Sequence, residues 1–295
     1  MRYVGRIFRP PSEANSLLIQ ATIGCPHNRC AFCDMYKGIK FRARPQREIM
    51  EDLKEAADLV GPQVRSIFFP DGNTIALSTR RLVEIFEAAR RLFPKLERIT
   101  VYGSAKFVVR KKPEEFRALV DAGLTRIHTG LESGDAEILE RMCKGADPET
   151  MVRAGRMVVD AGIELSEYVM IGLGGRRLSR RHAVESARVL NEIEPHFIRL
   201  RTTVPRPNTP LYEMWKSGEF ECLKAHEAIE ETKLLVENLN CNSELLSDHF
   251  TNFWNLNGRL PDEKDRMIAE LDYALALDES AFRPPTEVLV HLSSL

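Results

Sequence analysis

The sequence predicts an α/β fold built on a parallel sheet. Three observations predict it. Short apolar runs alternate six times with amphipathic stretches, and parallel strands need helical crossovers of about a dozen residues or more. Residues that carry chemistry gather just after the runs. The 295 residues, 43% of them hydrophobic, suffice for one large α/β domain or a domain with a modest extension. Two architectures fit this rhythm, a doubly wound open sheet and an incomplete βα barrel of six units. In both, the chemistry belongs at the carboxyl ends of the strands.

The elements follow in order. The first run is Ser16–Ile23 (SLLIQATI), then Val64–Phe69 (VRSIFF), Ile99–Gly103 (ITVYG), Thr125–Thr129 (TRIHT), Leu165–Leu173 (LSEYVMIGL) and Phe197–Val204 (FIRLRTTV). Their length and bounding polar breaks read as buried strands. Between or beside them, Arg47–Val60, Arg80–Leu92, Pro113–Ala122, Ala136–Met142, Pro148–Ala161 and Arg180–Ile193 carry helical periodicity. After Pro205 the rhythm stops. Two helical stretches, Glu221–Leu239 and Asp262–Leu277, flank a polar aromatic segment, Ser247–Leu260, and the tail Pro284–Leu295 reads as an edge strand or a loose end. The expected organisation is a core over residues 1–210 and a helical extension over 211–295 packed on it.

Forty-two basic and 43 acidic residues leave a net charge of −1, which argues against binding nucleic acid by bulk electrostatics. No nucleic-acid partner is expected. No apolar run approaches the roughly 18 residues of a membrane span, so no membrane is expected either. The opening MRYVGRIFRPP lacks a signal-peptide core, and the expected location is cytoplasmic. Six cysteines in a chain this long make no disulfide scaffold.

Three of those cysteines are bunched in Gly24-Cys25-Pro-His-Asn-Arg-Cys30-Ala-Phe-Cys33. Three thiolates within nine residues can converge on one soft centre, zinc or iron–sulfur, or form a plain thiol cluster. A closed zinc site wants four ligands, and His27, between two of the cysteines, is badly placed to be the fourth. Three ligands suit a cubane [4Fe–4S] cluster with one iron left open, and an open position is what a reactive metal site needs. Cys143, Cys222 and Cys241 lack the spacing for a second cluster, so one is expected.

Here the chain resembles a family, the radical S-adenosylmethionine (SAM) enzymes, over residues 16 to about 210. Three cysteines with an aromatic, Phe32, just before the third carry the resemblance, and polar residues at later strand ends follow in the family's order. The branch it looks most like holds methylthiotransferases and oxygen-independent coproporphyrinogen oxidase. One departure stands out: four residues, Pro26 to Arg29, separate the first two cysteines where the family commonly has three. The resemblance implies a partial (β/α)6 barrel, one [4Fe–4S] cluster, SAM, and an external electron donor such as a flavodoxin or ferredoxin. It implies reductive cleavage of SAM and abstraction of hydrogen from the substrate; the hard chemistry belongs to the cofactor. Carried over residue by residue, Cys25, Cys30 and Cys33 match the cluster ligands, and Phe32 matches the aromatic beside the adenine. Asp71, Gly72 and Asn73 stand where the family turns its backbone towards the SAM amino group. Ser104 and Glu132 match polar residues that meet SAM, and Lys144 a cation for its carboxylate. Gly172 opens the fifth-strand glycine segment, which runs to Gly175, and Val204 matches a packing position on the sixth strand.

Each of these residues has a plainer reading. Asp-Gly-Asn is a good turn on its own, and Glu132 and Lys144 would serve as an exposed pair at a helix start. On the substrate side, Arg176, Arg177, Arg180 and Arg181 suit carboxylates or phosphates, and equally a solvated helix start. Arg199 and Arg201 alternate with Ile198 and Leu200, so both point to one side of run six, and charge inside a barrel meets a ligand or a carboxylate. Asp248 and His249 are neighbours that together suit acid–base work, or a structural loop. The expected substrate is a small molecule, anionic where the arginines meet it. Two rivals stand beside this reading: a tetrapyrrole or cofactor chaperone on the same barrel, and a metal-binding sensor or carrier.

Overall fold

The structure, a computed structural model, describes residues 1–282. The tail expected as an edge strand or loose end lies outside them. In chain order the elements are β1 (Leu17–Leu18), β2 (Thr22–Ile23), β3 (Arg42–Ala43), α1 (Gln46–Val60), β4 (Ser66–Phe69), α2 (Thr79–Leu92) and β5 (Arg98–Tyr102). Then follow α3 (Ala105–Val108), α4 (Pro113–Asp121), β6 (Leu124–Glu132), α5 (Ala136–Arg141), α6 (Pro148–Asp160), β7 (Glu164–Ile171) and α7 (Gly175–Ile193). The last are β8 (Phe197–Thr202), α8 (Pro210–Lys216), α9 (Ala225–Asn238), β9 (Glu244–Leu246), β10 (Asn257–Arg259) and α10 (Lys264–Ala276). This is the predicted α/β class, with a helical C-terminal part.

The chain divides into two compact units. The first comprises Met1–Asn28, Met35–Thr129 and Arg153–Leu165. In it β1, β4, β5 and β6 run parallel in that order, with Leu17 opposite Ile67, Ile67 opposite Ile99, and Val101 opposite Ile127. β2 and β3 form a small antiparallel pair. The SIFF run of β4 is buried at all three apolar positions, as a strand covered on both faces must be. α1 buries Ile49, Leu53 and Ala56, and α2 buries Leu82, Ile85, Phe86 and Ala89. This i, i+3, i+4 spacing makes one apolar stripe per helix. Phe86 tilts against Phe69 with ring centroids 5.3 Å apart, and burying a ring of that size stabilises by about 2–3 kcal/mol.

The second unit comprises Arg29–Asp34, Gly130–Val152 and, among the described residues, 166–282. β7 and β8 are parallel, β8 and β9 are parallel, and β9 and β10 are antiparallel. The sequence reading missed these last two short strands, because three residues carry too little pattern to count. α7 buries Leu178, Ala183, Ala187, Leu190 and Ile193, and α9 buries Ile229, Leu235 and Val236. A separate apolar cluster gathers Ala31, Ile138, Met142, Leu173, Leu178, Leu211 and Phe220, with Phe32 packed against it.

Several boundaries differ from the sequence reading: the first run, expected as one strand over Ser16–Ile23, is split into β1 and β2, and the helix expected from Glu221 starts at Ala225. Two further differences bear on the site. β6 runs on through Gly-Leu-Glu to Glu132, past the expected end at Thr129. α7 begins at Gly175, so the four arginines lie in its first turns. Three of them face carboxylates of the protein itself: Arg176 meets Glu221 and Glu227, Arg177 meets Glu137, and Arg181 meets Asp135 and Glu137. These are solvated helix-start pairs rather than a clamp for an anion.

Candidate functional site

In the first unit the candidate residues sit on two turns and a strand end. Cys25 follows β2. The turn after β4 carries Asp71 in the left-handed region, φ 75°, and brings Gly72 against Cys25. The Gly72 N–H donates to the Gly24 carbonyl at 3.2 Å, so the two turns are tied together. Asn73 Nδ2 donates to Ser104 Oγ at 2.7 Å, joining the ends of β4 and β5 as the sequence placed them. Asn73 is 1% exposed, and its Oδ1 is buried with no hydrogen-bond partner among the described residues. Asp71 is equally buried. Gln20 Nε2 donates to its Oδ2 at 2.6 Å, and the Tyr36 hydroxyl also bonds it. Burial pushes its carboxyl up to about 6, against the pull of those two donors.

The four-residue gap also has a local cause here. Asn28 adopts φ 43° and donates from Nδ2 to the Tyr36 carbonyl at 2.6 Å, bracing the longer loop from inside. Asparagine tolerates this conformation better than most residues.

In the second unit the Cys33 N–H donates to the Cys30 carbonyl at 3.4 Å, forming a turn between the two. Ala31 fixes that turn from both sides: its N–H donates to the Met142 carbonyl, and its carbonyl accepts from the Leu211 N–H, each at 2.9 Å. Arg206 holds Asp34 at 3.1 Å. The Phe32 ring packs against the apolar cluster.

Glu132, at φ 63°, turns its side chain back over Gly130 to Lys144, with Oε1 2.9 Å from Nζ. A Cβ on Gly130 would stand 2.0 Å from that Oε1, so any larger residue there would make the carboxylate shift. The side chains of Glu132 and Lys144 are 13% and 9% exposed, a largely buried pair rather than the exposed one weighed above. Burial alone would lower the Lys144 ammonium, but the charges of Glu132, Cys30 and Glu167 outweigh it and hold the pKa above its ordinary value.

Arg199 is 6% exposed and lies 3.7 Å from Asp248. The Nε atoms of Arg199 and Arg201 are buried without hydrogen-bond partners among the described residues. His249 and Asp248 do not pair. The His249 ring faces Thr251 Oγ1 at 2.7 Å and stacks on Phe250 at 4.4 Å. Burial, and then the Arg201 charge, push its pKa down to about 3, so it is neutral at ordinary pH. Gly172 and Val204 are buried at the ends of β7 and β8.

Sequence reasoning missed two buried residues of this unit, His182 and Glu231. Their signal was available: each is a charged residue on the apolar stripe of its helix, where charge needs a partner.

Among the described residues no three His, Cys, Asp or Glu side chains are gathered closely enough to hold a metal ion. The donor chemistry suits an iron–sulfur cluster: soft thiols, two of them in one turn, with a charged lysine beside Cys30. The orphaned Asn73 acceptor beside a buried Asp71 suits a ligand ammonium.

Residues 19–190 match the model of the radical SAM superfamily, more than half of the chain. The chain belongs to the radical SAM superfamily. Members of this superfamily bind a [4Fe–4S] cluster and SAM. A tRNA uridine(34) acetyltransferase of Methanocaldococcus infernus is 29% identical over 118 residues, 40% of this chain and 22% of that protein. The chain thus spans about a fifth of that relative's length. Coproporphyrinogen III oxidase (HemN) from Escherichia coli superposes with a TM-score of 0.56 at 15% identity, covering 75% of this chain and 52% of that one. The radical SAM methyltransferase TsrM from Kitasatospora setae, with cobalamin and a [4Fe–4S] cluster bound, gives 0.56 at 18% identity, covering 89% and 51%. Both likenesses show the fold, the partial βα barrel of the superfamily. No helix among the described residues is long and apolar enough to cross a membrane.

Proposed function

We propose that this chain is a radical SAM enzyme whose residues Cys25, Cys30 and Cys33 hold one [4Fe–4S] cluster. Residues 1–210 carry the cofactors and 211–295 form the extension. The bound cluster and SAM supply a carbon radical able to abstract hydrogen. The chain's own residues bind and orient. Asp71 and the free Asn73 Oδ1 accept the SAM ammonium, with Gly72 giving its backbone close access and Ser104 holding the Asn73 amide. Lys144 receives the SAM carboxylate, and Glu132 both fixes Lys144 and meets the ligand. Phe32, Gly172 and Val204 provide apolar and backbone surface for the adenine. The observation that carries this reading is the buried, unpartnered Asn73 Oδ1 beside a carboxylate that burial keeps half protonated near pH 6. A cation there would satisfy both groups.

On the substrate side, Arg199 and Arg201 favour an anionic small molecule, because their buried Nε donors lack hydrogen-bond partners among the described residues. A neutral His249 then shapes the pocket wall, and Asp248 steadies Arg199. The acetyltransferase relative's name includes tRNA, so that likeness gives the expected absence of a nucleic-acid partner no support, and an RNA-borne substrate belongs in the screen. An external one-electron donor and a reducing, cytoplasmic setting complete the reading, since a reduced iron–sulfur cluster needs both.

The test is SAM cleavage by anaerobically reconstituted protein with reductant. Wild type carries about four irons and forms 5′-deoxyadenosine, whereas Cys30→Ala does neither. Full iron without 5′-deoxyadenosine would overturn the enzyme reading in favour of a chaperone or carrier.

A further inference from the structure

Away from the cysteines, the second unit contains a connected cluster of buried polar groups centred on His182 of α7 and Glu231 of α9. Both side chains are fully buried. Desolvating such a pair costs several kcal/mol per ion, so it persists only where further hydrogen bonds complete it. They do. Glu231 Oε1 accepts the Gly172 N–H at 2.6 Å, and its Oε2 accepts the Ser179 hydroxyl at 2.5 Å. His182 Nδ1 lies 2.9 Å from Glu231 Oε1, and its Nε2 lies 3.1 Å from the Glu132 carbonyl. Nε2 faces an oxygen that only accepts, so it carries a proton, while Nδ1 lies close to the carboxylate without being aligned for a hydrogen bond among the described residues.

The two ends of this chain of contacts are informative. One end is the carbonyl of Glu132, a residue held in the left-handed region, which side-chain-bearing residues rarely adopt without support. The other is the amide that opens the glycine segment after β7. Both are segments assigned above to SAM, and neither His182 nor Glu231 is placed in contact with the ligand.

We propose that His182 and Glu231 are positioning residues which lock the Glu132 backbone and the Gly172 amide into their SAM-binding geometry, so that α9 takes part in cofactor recognition. This inference rests on the SAM reading above. The competing explanation is a buried pair that serves packing alone; such pairs are replaceable by apolar residues with little loss.

The experiment measures the SAM dissociation constant of the full-length, anaerobically reconstituted protein by equilibrium dialysis, with iron content and thermal midpoint recorded for each variant. Glu231→Ala and His182→Ala are expected to weaken SAM binding about tenfold with iron unchanged. Combining them adds little, since both act through one network. Glu231→Gln, which keeps an acceptor for the Gly172 N–H, recovers affinity to within about threefold of wild type. Wild-type affinity in both alanine variants overturns the proposal, and so does equal loss of iron and SAM binding in all three, which marks a purely structural role. Should the alanine variants fail to fold, Ser179→Ala decides: affinity falls about threefold if the proposal holds, and an unchanged value overturns it. Iron-loaded wild type that binds no SAM would instead overturn the SAM reading itself, and this proposal with it.

Discussion

Gly72 packs against Cys25 so closely that a Cβ on it would stand 2.6 Å from Cys25 Cβ and 3.1 Å from its Sγ. The obstructing atoms belong to the root of a short side chain, which cannot swing aside. Gly72→Ala therefore has to push Cys25 away, an overpacking cost of about 1–3 kcal/mol. The expected outcome is a folded protein with unchanged far-UV circular dichroism whose reconstituted iron content is well below wild type. Full iron loading would show that the Cys25 turn has room to yield.

Asp71 couples stability to ligand binding in opposite directions. Its carboxyl, raised by burial from 3.8 to about 6, holds a proton more tightly in the folded chain than in the unfolded one. Stability therefore falls as pH rises from about 4 to 6, and above 6 the ionised group costs about 3 kcal/mol. Asp71→Asn is expected to raise the thermal midpoint at pH 7.5 by several degrees and to weaken SAM binding. The gain shrinks at pH 4, where the wild-type group is already protonated. Melting curves at the two pH values, with SAM titrations alongside, check both halves.

Most strands and helices of the core were legible because their periodicity is local; the first run, Ser16–Ile23, was not, since it splits between two sheets. Arg47–Val60 against the observed Gln46–Val60 differs by one residue. What escaped was set by tertiary partners. The apolar run at Thr125–Thr129 ends at Gly130, yet β6 continues to Glu132, whose side chain returns over that glycine. Asp248 and His249 are adjacent in sequence but find different partners, Arg199 and Thr251, so adjacency misled. His182 and Glu231 are 49 positions apart, and only the packing of α7 on α9 makes one unit of them.

The Glu132–Lys144 pair is largely buried, so its two halves are not equivalent on removal. Glu132→Ala strands a buried ammonium and is expected to cost about 3 kcal/mol or more, whereas Lys144→Met leaves a carboxylate that can turn towards solvent over Gly130 and costs less. The double variant falls short of the sum of the singles, because each single already forfeits the shared interaction. Urea midpoints for the four proteins complete the cycle, and simple additivity would contradict a direct pair.

His249 tests the division of labour on the substrate side. Its folded pKa of about 3 lies below the unfolded value near 6.5, so the native chain binds fewer protons at that ring than the unfolded chain does. Stability from this group is complete above pH 6.5 and is lost on acidification towards 3. Carbon-detected NMR of labelled histidine is expected to show no titration of His249 between pH 8 and about 4. His249→Gln is expected to lose less stability than wild type over that interval, because it has no ring to protonate. Arg201→Met raises the His249 pKa only in part, since burial is the larger cause and remains. A ring that titrates near 6 in wild type would show that water reaches it, and would restore His249 as an acid–base candidate. A ring that stays neutral leaves the paired arginines of β8 as the charged groups offered to the substrate, and an anionic ligand as the one they select.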